Sequence, residues 1–333
     1  MAAPMKVLVV SPTGKTGSSV VEGLLNSTTT KFNAHPVQEV TALTRESSLN
    51  NPVLQPFKDR GVKIVTADLN GPKKILVELL TGIDVVISCI YWANLKDQIP
   101  LAEAAKEAGV KRFVPSSFQT PTPRGVMQLA DWKDDVLAAI QRVHLPWTVI
   151  DVGWWSNQVM PSLPSGRTDK YVVSFLKSMP ADGNVKMALS ALQDVGNHVA
   201  RVIADPRTLN RKVLVYTQLM TLNQAHDLMD EVSGETSARE YTPAADIAGA
   251  IASAQEVLEK SPTDPTATLT LFLNQYMNSW GVRGDNDPEN AETLGYLDYT
   301  KLNPDIKGIT VREIYESILD DTKESLGVSW SAH

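Results

Sequence analysis

The stretch from residue 6 to residue 17, KVLVVSPTGKTG, places the strongest constraint on what this chain can fold into. Its first five residues are rich in valine and show no polar alternation, which predicts a strand buried on both faces inside a parallel sheet. Residues 11–14, with a proline and a glycine, predict a tight turn directly after it. Apolar residues then recur at helical spacing, at Val20, Val21, Leu24 and Leu25. Strand, tight turn and helix in this order are typical of the opening of a dinucleotide-binding fold.

The start of the predicted helix is suited to an anion. The first backbone N–H groups of a helix have no partner within it, and the helix dipole places partial positive charge there, so a pyrophosphate fits. Gly14 lets the backbone approach that anion, and Gly17 lets the helix pack closely on the strand. Ser11 occupies the place of the usual first glycine. Two alternatives are a plain strand-to-helix turn and a Walker A loop, but the latter needs a glycine where this chain has Val9.

Composition excludes several classes of protein. The net charge of −7, with no basic cluster, argues against nucleic acid as the main partner. No run of 18 apolar residues appears, and the apolar stretch at the N-terminus is too short for a signal peptide, so we expect neither a membrane segment nor secretion. Cys89 is the single cysteine, which suits a reducing cytoplasm. The five histidines are scattered without metal-ligand spacing, and we expect no metal.

Strands and helices alternate through the first half of the chain. Six strands are predicted, at residues 6–10, 37–44, 62–67, 84–88, 112–115 and 147–152. Helices are predicted between them, the later ones at residues 72–80, 95–108 and 127–143. This pattern predicts an α/β fold with a doubly wound parallel Rossmann sheet.

The second half of the chain is less regular and predicts a smaller, mostly helical substrate domain. Helices are expected at residues 222–232, 244–259, 269–280 and 311–326, and a strand at 212–216. We therefore predict an NADP-binding domain over residues 1–155 and a substrate-binding domain over 156–333, with residues 194–218 packing back on the first.

Arg45 bears on the choice of cofactor. It is the first charged residue after the second predicted strand, where an acid would bind the ribose 2′-OH of NAD and a cation the 2′-phosphate of NADP. A planar guanidinium suits phosphate, which favours NADP(H). Glu46 beside it is a counter-argument, and a solvated loop arginine is the alternative interpretation.

Common catalytic motifs are missing from the sequence. No tyrosine has a lysine four residues further on, so the usual short-chain dehydrogenase pair is not predicted. There is no Gly-x-Ser-x-Gly elbow, and Cys89 has no evident histidine partner.

Several short motifs together carry a resemblance to a known family. In chain order they are SPTGKTG at 11–17, TRES at 44–47, Gln98, KRFVPS at 111–116, Lys133, LPWT at 145–148 and PRTLN at 206–210. Over residues 6–233 the chain resembles the NmrA-like, atypical short-chain dehydrogenases, and within them the isoflavone reductase and phenylcoumaran benzylic ether reductase family. Fungal members of this group act as tailoring enzymes in secondary metabolism.

The resemblance implies roles for individual residues. The glycine loop, Ser11, Thr13, Gly14, Lys15, Thr16 and Gly17, would surround the pyrophosphate of NADP(H), with Arg45 on the 2′-phosphate. Ser88 and Ile90 would flank the nicotinamide, with Ser116 nearby and Trp155 where the family has a phenylalanine. Lys133 falls on the position of the family's general acid/base, beside the cofactor; a solvated lysine among Asp131, Asp134 and Asp135 is the alternative.

The chain also departs from the family pattern. Pro-Ser-Glu-Phe-Gly reads Pro-Ser-Ser-Phe-Gln at residues 115–119, and the second basic residue after Arg45 falls on Leu54 or Gln55. These changes and the pair Trp154 and Trp155 argue against a plant lignan or isoflavone as substrate.

Four aromatic residues predict the kind of substrate. Trp154 and Trp155 follow the sixth strand, and Tyr91 and Trp92 follow the fourth, so they meet at the carboxyl edge of the sheet and predict a pocket for a flat ligand. Packing between domains is the alternative. The resemblance, together with these aromatic residues, implies an NADPH-dependent oxidoreductase that reduces a C=C, C=N or benzylic ether bond of a bulky aromatic or alkaloid-like molecule. A redox-neutral cyclase or isomerase and a non-catalytic NADP(H) sensor that regulates a protein partner remain open.

Overall fold

The central sheet is parallel and lies in the first half of the chain. The computed structural model describes residues 5–27, 37–320, 322 and 324–329. Five strands form the sheet: β1 (Met5–Val10), β2 (Val37–Thr44), β3 (Lys63–Thr66), β4 (Val85–Ser88) and β5 (Arg112–Val114). Their spatial order is β3-β2-β1-β4-β5, and every pair is parallel. The chain therefore winds outward from β1 in both directions, as a doubly wound sheet does.

The later strands extend this sheet and form two smaller ones. They are β6 (Thr148–Asp151), β7 (Trp154–Trp155), β8 (Met179–Pro180), β9 (Met187–Ser190), β10 (Arg211–Leu214), β11 (Gln218–Met220), β12 (Tyr241–Thr242) and β13 (Tyr296–Asp298). Strands β13, β10 and β6 pair in parallel, and a bridge between Phe113 and Trp147 joins them to β5. Strands β11, β9 and β7 form one small sheet, and β12 with β8 the other.

Helices cover both faces of the sheet. In chain order they are α1 (Lys15–Ser27), α2 (Leu54–Asp59), α3 (Lys73–Leu80), α4 (Gln98–Glu107), α5 (Gln128–Arg142), α6 (Val195–Ala204), α7 (Leu222–Ser233), α8 (Ala244–Lys260), α9 (Pro265–Tyr276), α10 (Pro288–Thr293), α11 (Tyr299–Leu302) and α12 (Val311–Leu319). Strand β1 separates the two layers: Val7 and Val9 pack with α1 and α6, and Leu8 and Val10 pack with α3, α4 and α5. The prediction that β1 is buried on both faces is confirmed.

The doubly wound α/β fold predicted from the sequence is confirmed, and all six predicted strands are present. Several helix boundaries were wrong, most of all those of two helices in the second half of the chain. The helix expected at 269–280 begins at Pro265, because the Asp264 side chain accepts from the Ala267 N–H and caps it, and α-helical geometry gives way to a π-helix at 277–283. The helix expected at 311–326 ends at Leu319. Asp320 instead accepts hydrogen bonds from Thr322, a local turn that competes with the helix.

Residues far apart in sequence share the extended sheet. Strand β10, which matches the strand predicted at 212–216, lies between β6 and β13. The division into domains at 155/156 stays a prediction, and its outer ends, residues 1 and 333, lie outside the described residues. Within the described part of the chain, no helix is both long and apolar enough to cross a bilayer.

Candidate active site

A cleft of about 900 Å³ opens at the carboxyl ends of the parallel strands. Ligands of doubly wound folds bind at this edge. Most of the residues predicted as cofactor or substrate contacts line it: Ser11, Thr13, Gly14, Lys15, Thr16, Arg45, Ile90, Tyr91, Trp92, Ser116, Lys133, Trp154 and Trp155. Gly17 and Ser88 do not line it. Phe175, Leu273 and Tyr276 line it as well, so the cleft collects residues from both halves of the chain.

The turn after β1 has the shape of a dinucleotide loop although its first glycine is a serine. Ser11 adopts a left-handed backbone with φ of 60°, a conformation that costs an L-residue about 1–2 kcal/mol. A Cβ on Gly17 would lie 2.1 Å from the Ser11 carbonyl oxygen, so only glycine permits this contact. A Cβ on Gly14 would meet no atom nearer than 3.9 Å, which leaves open space at the N-terminus of α1. The loop therefore fits a pyrophosphate.

Two cations lie at this end of the cleft. Arg45 follows β2 and is exposed. Lys15, at the first position of α1, donates a hydrogen bond to the Ser329 carbonyl across 3.4 Å, so the C-terminal segment reaches the glycine loop. Both cations suit the phosphate groups of NADP(H).

The segments after β4 and β5 are tied together beneath the cleft. The Ser116 hydroxyl donates to the Ile90 carbonyl at 2.8 Å, and the Ser116 N–H donates to Gln98 Oε1 at 2.8 Å. Ser88, at the end of β4, is fully buried below them, and its hydroxyl has no hydrogen-bond partner among the described residues. Ser88 thus lies under the cleft floor, while Ile90 and Ser116 reach its surface.

Lys133 lies on the cleft side of α5. Its ammonium donates a hydrogen bond to the Ser117 carbonyl at 2.7 Å. Burial lowers the pKa of Lys133 to about 8, and the charge of Asp151 opposes that shift. A group with this pKa exists in both protonation states near neutral pH, as proton transfer requires.

Asp151 is a member of the site that the sequence interpretation missed. It ends β6, is fully buried, and accepts hydrogen bonds from the Gln119 N–H at 3.1 Å and from the Tyr296 hydroxyl at 2.6 Å. Burial raises the pKa of Asp151, and these hydrogen bonds oppose that effect. One signal was present in the sequence, a charged residue at the end of the strand TVID, whose other residues are uncharged.

An aromatic wall forms the other side of the cleft. Gly153, with φ of 69°, makes the turn from β6 to the tryptophan pair, and a Cβ there would lie 2.3 Å from the Ala188 carbonyl oxygen. The Trp154 ring lies 5.4 Å from Tyr276 and 6.3 Å from Phe175, and both of these also line the cleft. The tyrosine and phenylalanine come from unrelated segments, so no sequence spacing links them to the tryptophans.

Trp92 and Tyr91 form a second aromatic group. Their rings lie 5.2 Å apart, and Trp92 packs edge-on against Phe272 at 5.3 Å. Tyr91 is 65% exposed, which places it at the rim of the cleft. Across residues 5–27, 37–320, 322 and 324–329, no three His, Cys, Asp or Glu side chains come together as metal ligands would.

Similarity to known proteins identifies the family of this chain. The model of the NmrA-like family matches residues 4–264. The chain belongs to the NmrA-like family. Membership in this group, predicted from the motifs, is therefore confirmed.

Relatives of this NmrA-like protein cover nearly its whole length. Asnovolin J 5′,6′-dehydrogenase of Aspergillus novofumigatus is 43% identical over 95% of this chain and 96% of its own. Phenylcoumaran benzylic ether reductase TP7 of Nicotiana tabacum is 29% identical over 94% of this chain and 98% of its own. The structure of leucoanthocyanidin reductase from Vitis vinifera, a binary complex with NADPH, superposes with a TM-score of 0.75 at 21% identity, covering 94% of this chain and 99% of that one. That likeness shows the shared fold.

Proposed function

We propose that this NmrA-like protein reduces a C=C, C=N or benzylic ether bond of a bulky aromatic or alkaloid-like molecule, as a tailoring enzyme of secondary metabolism. It is an NADP(H)-dependent oxidoreductase, in line with its reductase and dehydrogenase relatives. The observation that carries the proposal is the half-buried Lys133 side chain beside an aromatic-lined cleft that also holds the glycine loop and Arg45.

The cofactor is assigned to one end of the cleft. Ser11, Thr13, Gly14, Lys15, Thr16 and Gly17 would surround its pyrophosphate. Arg45 would bind the 2′-phosphate, and Ile90, Ser116, Lys133 and Trp155 would lie toward the nicotinamide. When bound, NADPH supplies a hydride. Ser88 is fully buried beneath this end, and we assign it to support of the cleft floor.

Lys133 performs the proton transfer in this proposal. In reduction its ammonium gives a proton to the atom adjacent to the carbon that receives hydride, and solvent then reprotonates the amine. In the reverse direction the neutral amine accepts a proton. A positioned acid of this kind accelerates a reaction by roughly 10²–10⁴-fold. The 43% identical relative is named a dehydrogenase, so the direction of the reaction is part of the test.

The substrate is assigned to the aromatic part of the cleft. Trp154, Trp155, Tyr91 and Trp92 would stack on a flat or polycyclic ring system, since aromatic rings pack well in offset and edge-on arrangements. The whole cleft, with about 900 Å³, lies toward the upper end of the roughly 300–1,000 Å³ that ligand sites occupy.

Mass spectrometry of a reaction with the source organism's small-molecule extract tests the function. The extract is incubated with NADPH or NADP⁺ and with wild type, Lys133→Ala or Lys106→Ala. Lys106 is a matched control, because its ammonium also donates to a backbone carbonyl, that of His144, but lies outside the cleft.

We expect a product that depends on NADPH and Lys133 and survives Lys106→Ala. A product that depends on NADP⁺ would make the enzyme a dehydrogenase. A product without net cofactor turnover would replace the proposal with a redox-neutral cyclase, and cofactor binding without product would replace it with a sensor.

A further inference from the structure

Asp151 and Lys133 meet at the turn of residues 117–119. The Ser117 carbonyl accepts the hydrogen bond of the Lys133 ammonium at 2.7 Å. The Asp151 carboxylate, which lies near the Ser117 side chain, accepts a hydrogen bond from the Gln119 N–H at 3.1 Å. The turn of residues 117–119 therefore donates a hydrogen bond to the Asp151 carboxylate and accepts one from the Lys133 ammonium.

This turn has an unusual backbone that needs support. Phe118 has φ of 47°, which non-glycine residues rarely adopt. Its N–H donates to the Ile150 carbonyl at 3.0 Å, and the Gln119 carbonyl accepts from the Val152 N–H at 3.2 Å. Asp151 lies between these two anchors on β6, so its hydrogen bond to Gln119 completes the attachment of the turn to the strand.

The other acids near Lys133 are engaged elsewhere. Asp131 accepts from the Gly125 N–H at 2.9 Å. Asp134 pairs with Lys212 at 2.9 Å, and Asp135 pairs with Arg124 at 2.7 Å. The carboxylate whose charge acts on the Lys133 ammonium is that of Asp151.

We propose that Asp151 is the positioning residue of Lys133: it fixes the turn whose carbonyl holds the Lys133 ammonium and supplies the negative charge that faces it. This inference rests on the proposed function, in which Lys133 transfers the proton. Tyr296, from β13, completes the arrangement because its hydroxyl donates to Asp151 at 2.6 Å and helps the carboxylate to stay ionised.

The fully buried Asp151 carboxylate and the half-buried Lys133 ammonium stabilise each other here. Burial alone lowers the pKa of Lys133 and raises that of Asp151, so each group would tend toward its neutral form without the other. Among the described residues, the phenols of Tyr276 on α9 and Tyr296 on β13 also lie within range of the charge of Asp151. Burial and the charge of Asp151 raise the pKa of both phenols, so both stay neutral near pH 7.

The location of the carboxylate differs from the motif of the resembled family. That motif has a glutamate at the position of Ser117, whereas this chain has a serine there and an aspartate that reaches it from β6. The carboxylate can thus be moved back onto the turn in a double variant, Ser117→Glu with Asp151→Ser.

The experiment measures the titration of Lys133 without any substrate. Purified protein is acetylated with trace acetic anhydride over a pH series, and mass spectrometry of the Lys133 peptide gives the pH of half-maximal reactivity. We expect Asp151→Asn to lower that pH by roughly one to three units, since an opposite charge at close range shifts a pKa by this amount. Asp134→Asn is the matched control on α5, and we expect it to leave the titration within about half a unit of wild type.

Unchanged Lys133 reactivity in a folded Asp151→Asn protein, with a near-ultraviolet circular dichroism spectrum like that of wild type, would overturn the inference. If Asp151→Asn does not fold, the double variant decides. Its pH of half-maximal Lys133 reactivity is expected within about half a unit of wild type, and a decrease of that pH by about one unit or more refutes the proposal. Because no substrate is used, a failure of Lys133→Ala to abolish turnover would reject the proposed function and leave this result standing.

Discussion

Gly23 in α1 and Gly196 in α6 face each other where the two helices cross. A Cβ on Gly23 would lie 2.0 Å from the Gly196 carbonyl carbon, and one on Gly196 would lie 1.7 Å from the Ser19 carbonyl oxygen. The Ser19 hydroxyl also accepts from the Gly196 N–H at 3.0 Å. The helix that begins at the glycine loop is thus held against the sheet by a helix from the second half of the chain.

Gly196→Ala should destabilise the protein. A methyl group cannot fit between the backbones, so α1 and α6 must separate, and overpacking of this kind costs about 1–3 kcal/mol or more. Chemical denaturation measures the loss of unfolding free energy. Gly249→Ala on α8 is the control: its Cβ would meet nothing within 4 Å, and we expect it to stabilise by about 0.5–1 kcal/mol. Equal effects of the two substitutions would contradict the close crossing.

Arg45→Ala should weaken the binding of NADPH by tenfold or more and leave NADH binding unchanged. A charge-assisted hydrogen bond to a phosphate contributes about 1.5–3 kcal/mol, and NADH has no 2′-phosphate. Isothermal titration calorimetry with both cofactors measures this difference. Arg142→Ala, at the exposed end of α5, is the control and should bind both as wild type does. A parallel loss of NADH affinity would mean that Arg45 does not contact the 2′-phosphate.

The rate of substrate reduction should fall as pH rises through about 8, the pKa of Lys133. Reduction needs the protonated ammonium, and this form is lost above the pKa. The oxidative direction needs the neutral amine, so its rate should rise through the same pH. Initial rates at saturating cofactor between about pH 6 and pH 10 give both profiles. A profile for reduction that stays flat through pH 8 would show that Lys133 does not donate the proton.

His198→Gln should make the protein less sensitive to acid. Burial and then the charge of Arg201 lower the pKa of His198 to about 4, below the ordinary value of 6.5. The unfolded chain therefore binds a proton before the folded one does, and stability present above pH 6.5 is lost as the pH falls toward 4. Glutamine does not titrate, so unfolding free energies measured from about pH 7 to pH 4 should decline less steeply.

His226 keeps part of the acid sensitivity in that variant, because burial and Arg239 lower its pKa to about 4 as well. The unfolding free energy of His198→Gln should therefore still decline somewhat as the pH falls. If the unfolding free energies of wild type and His198→Gln declined equally steeply with falling pH, that would contradict a buried, neutral His198.

Much of the first half of the fold could be predicted from local patterns. The valine-rich strand, the turn at 11–14 and the helical spacing after it are short-range signals, and they led to the correct sheet and family. Most of the residues expected to contact cofactor or substrate line one cleft, because parallel strands bring their carboxyl ends to one edge of the sheet. Helix ends were less certain, because Asp264 and Asp320 decide them through single side-chain hydrogen bonds.

Local sequence patterns were sufficient to predict the alternation of strands and helices, the glycine loop, the position of Arg45 and the presence of Lys133 on a helix. The groups that surround Lys133, in contrast, are known only from the packing of distant segments. Asp151 on β6 and Tyr296 on β13 are far apart in the chain, and no sequence pattern links them. Their side chains meet because β6 and β13 both pair with β10 in the folded sheet. Burial and partners set a pKa, and both depend on how distant segments pack rather than on neighbouring residues. The sequence therefore locates Lys133 in the chain, whereas the protonation of its amine depends on the folded surroundings.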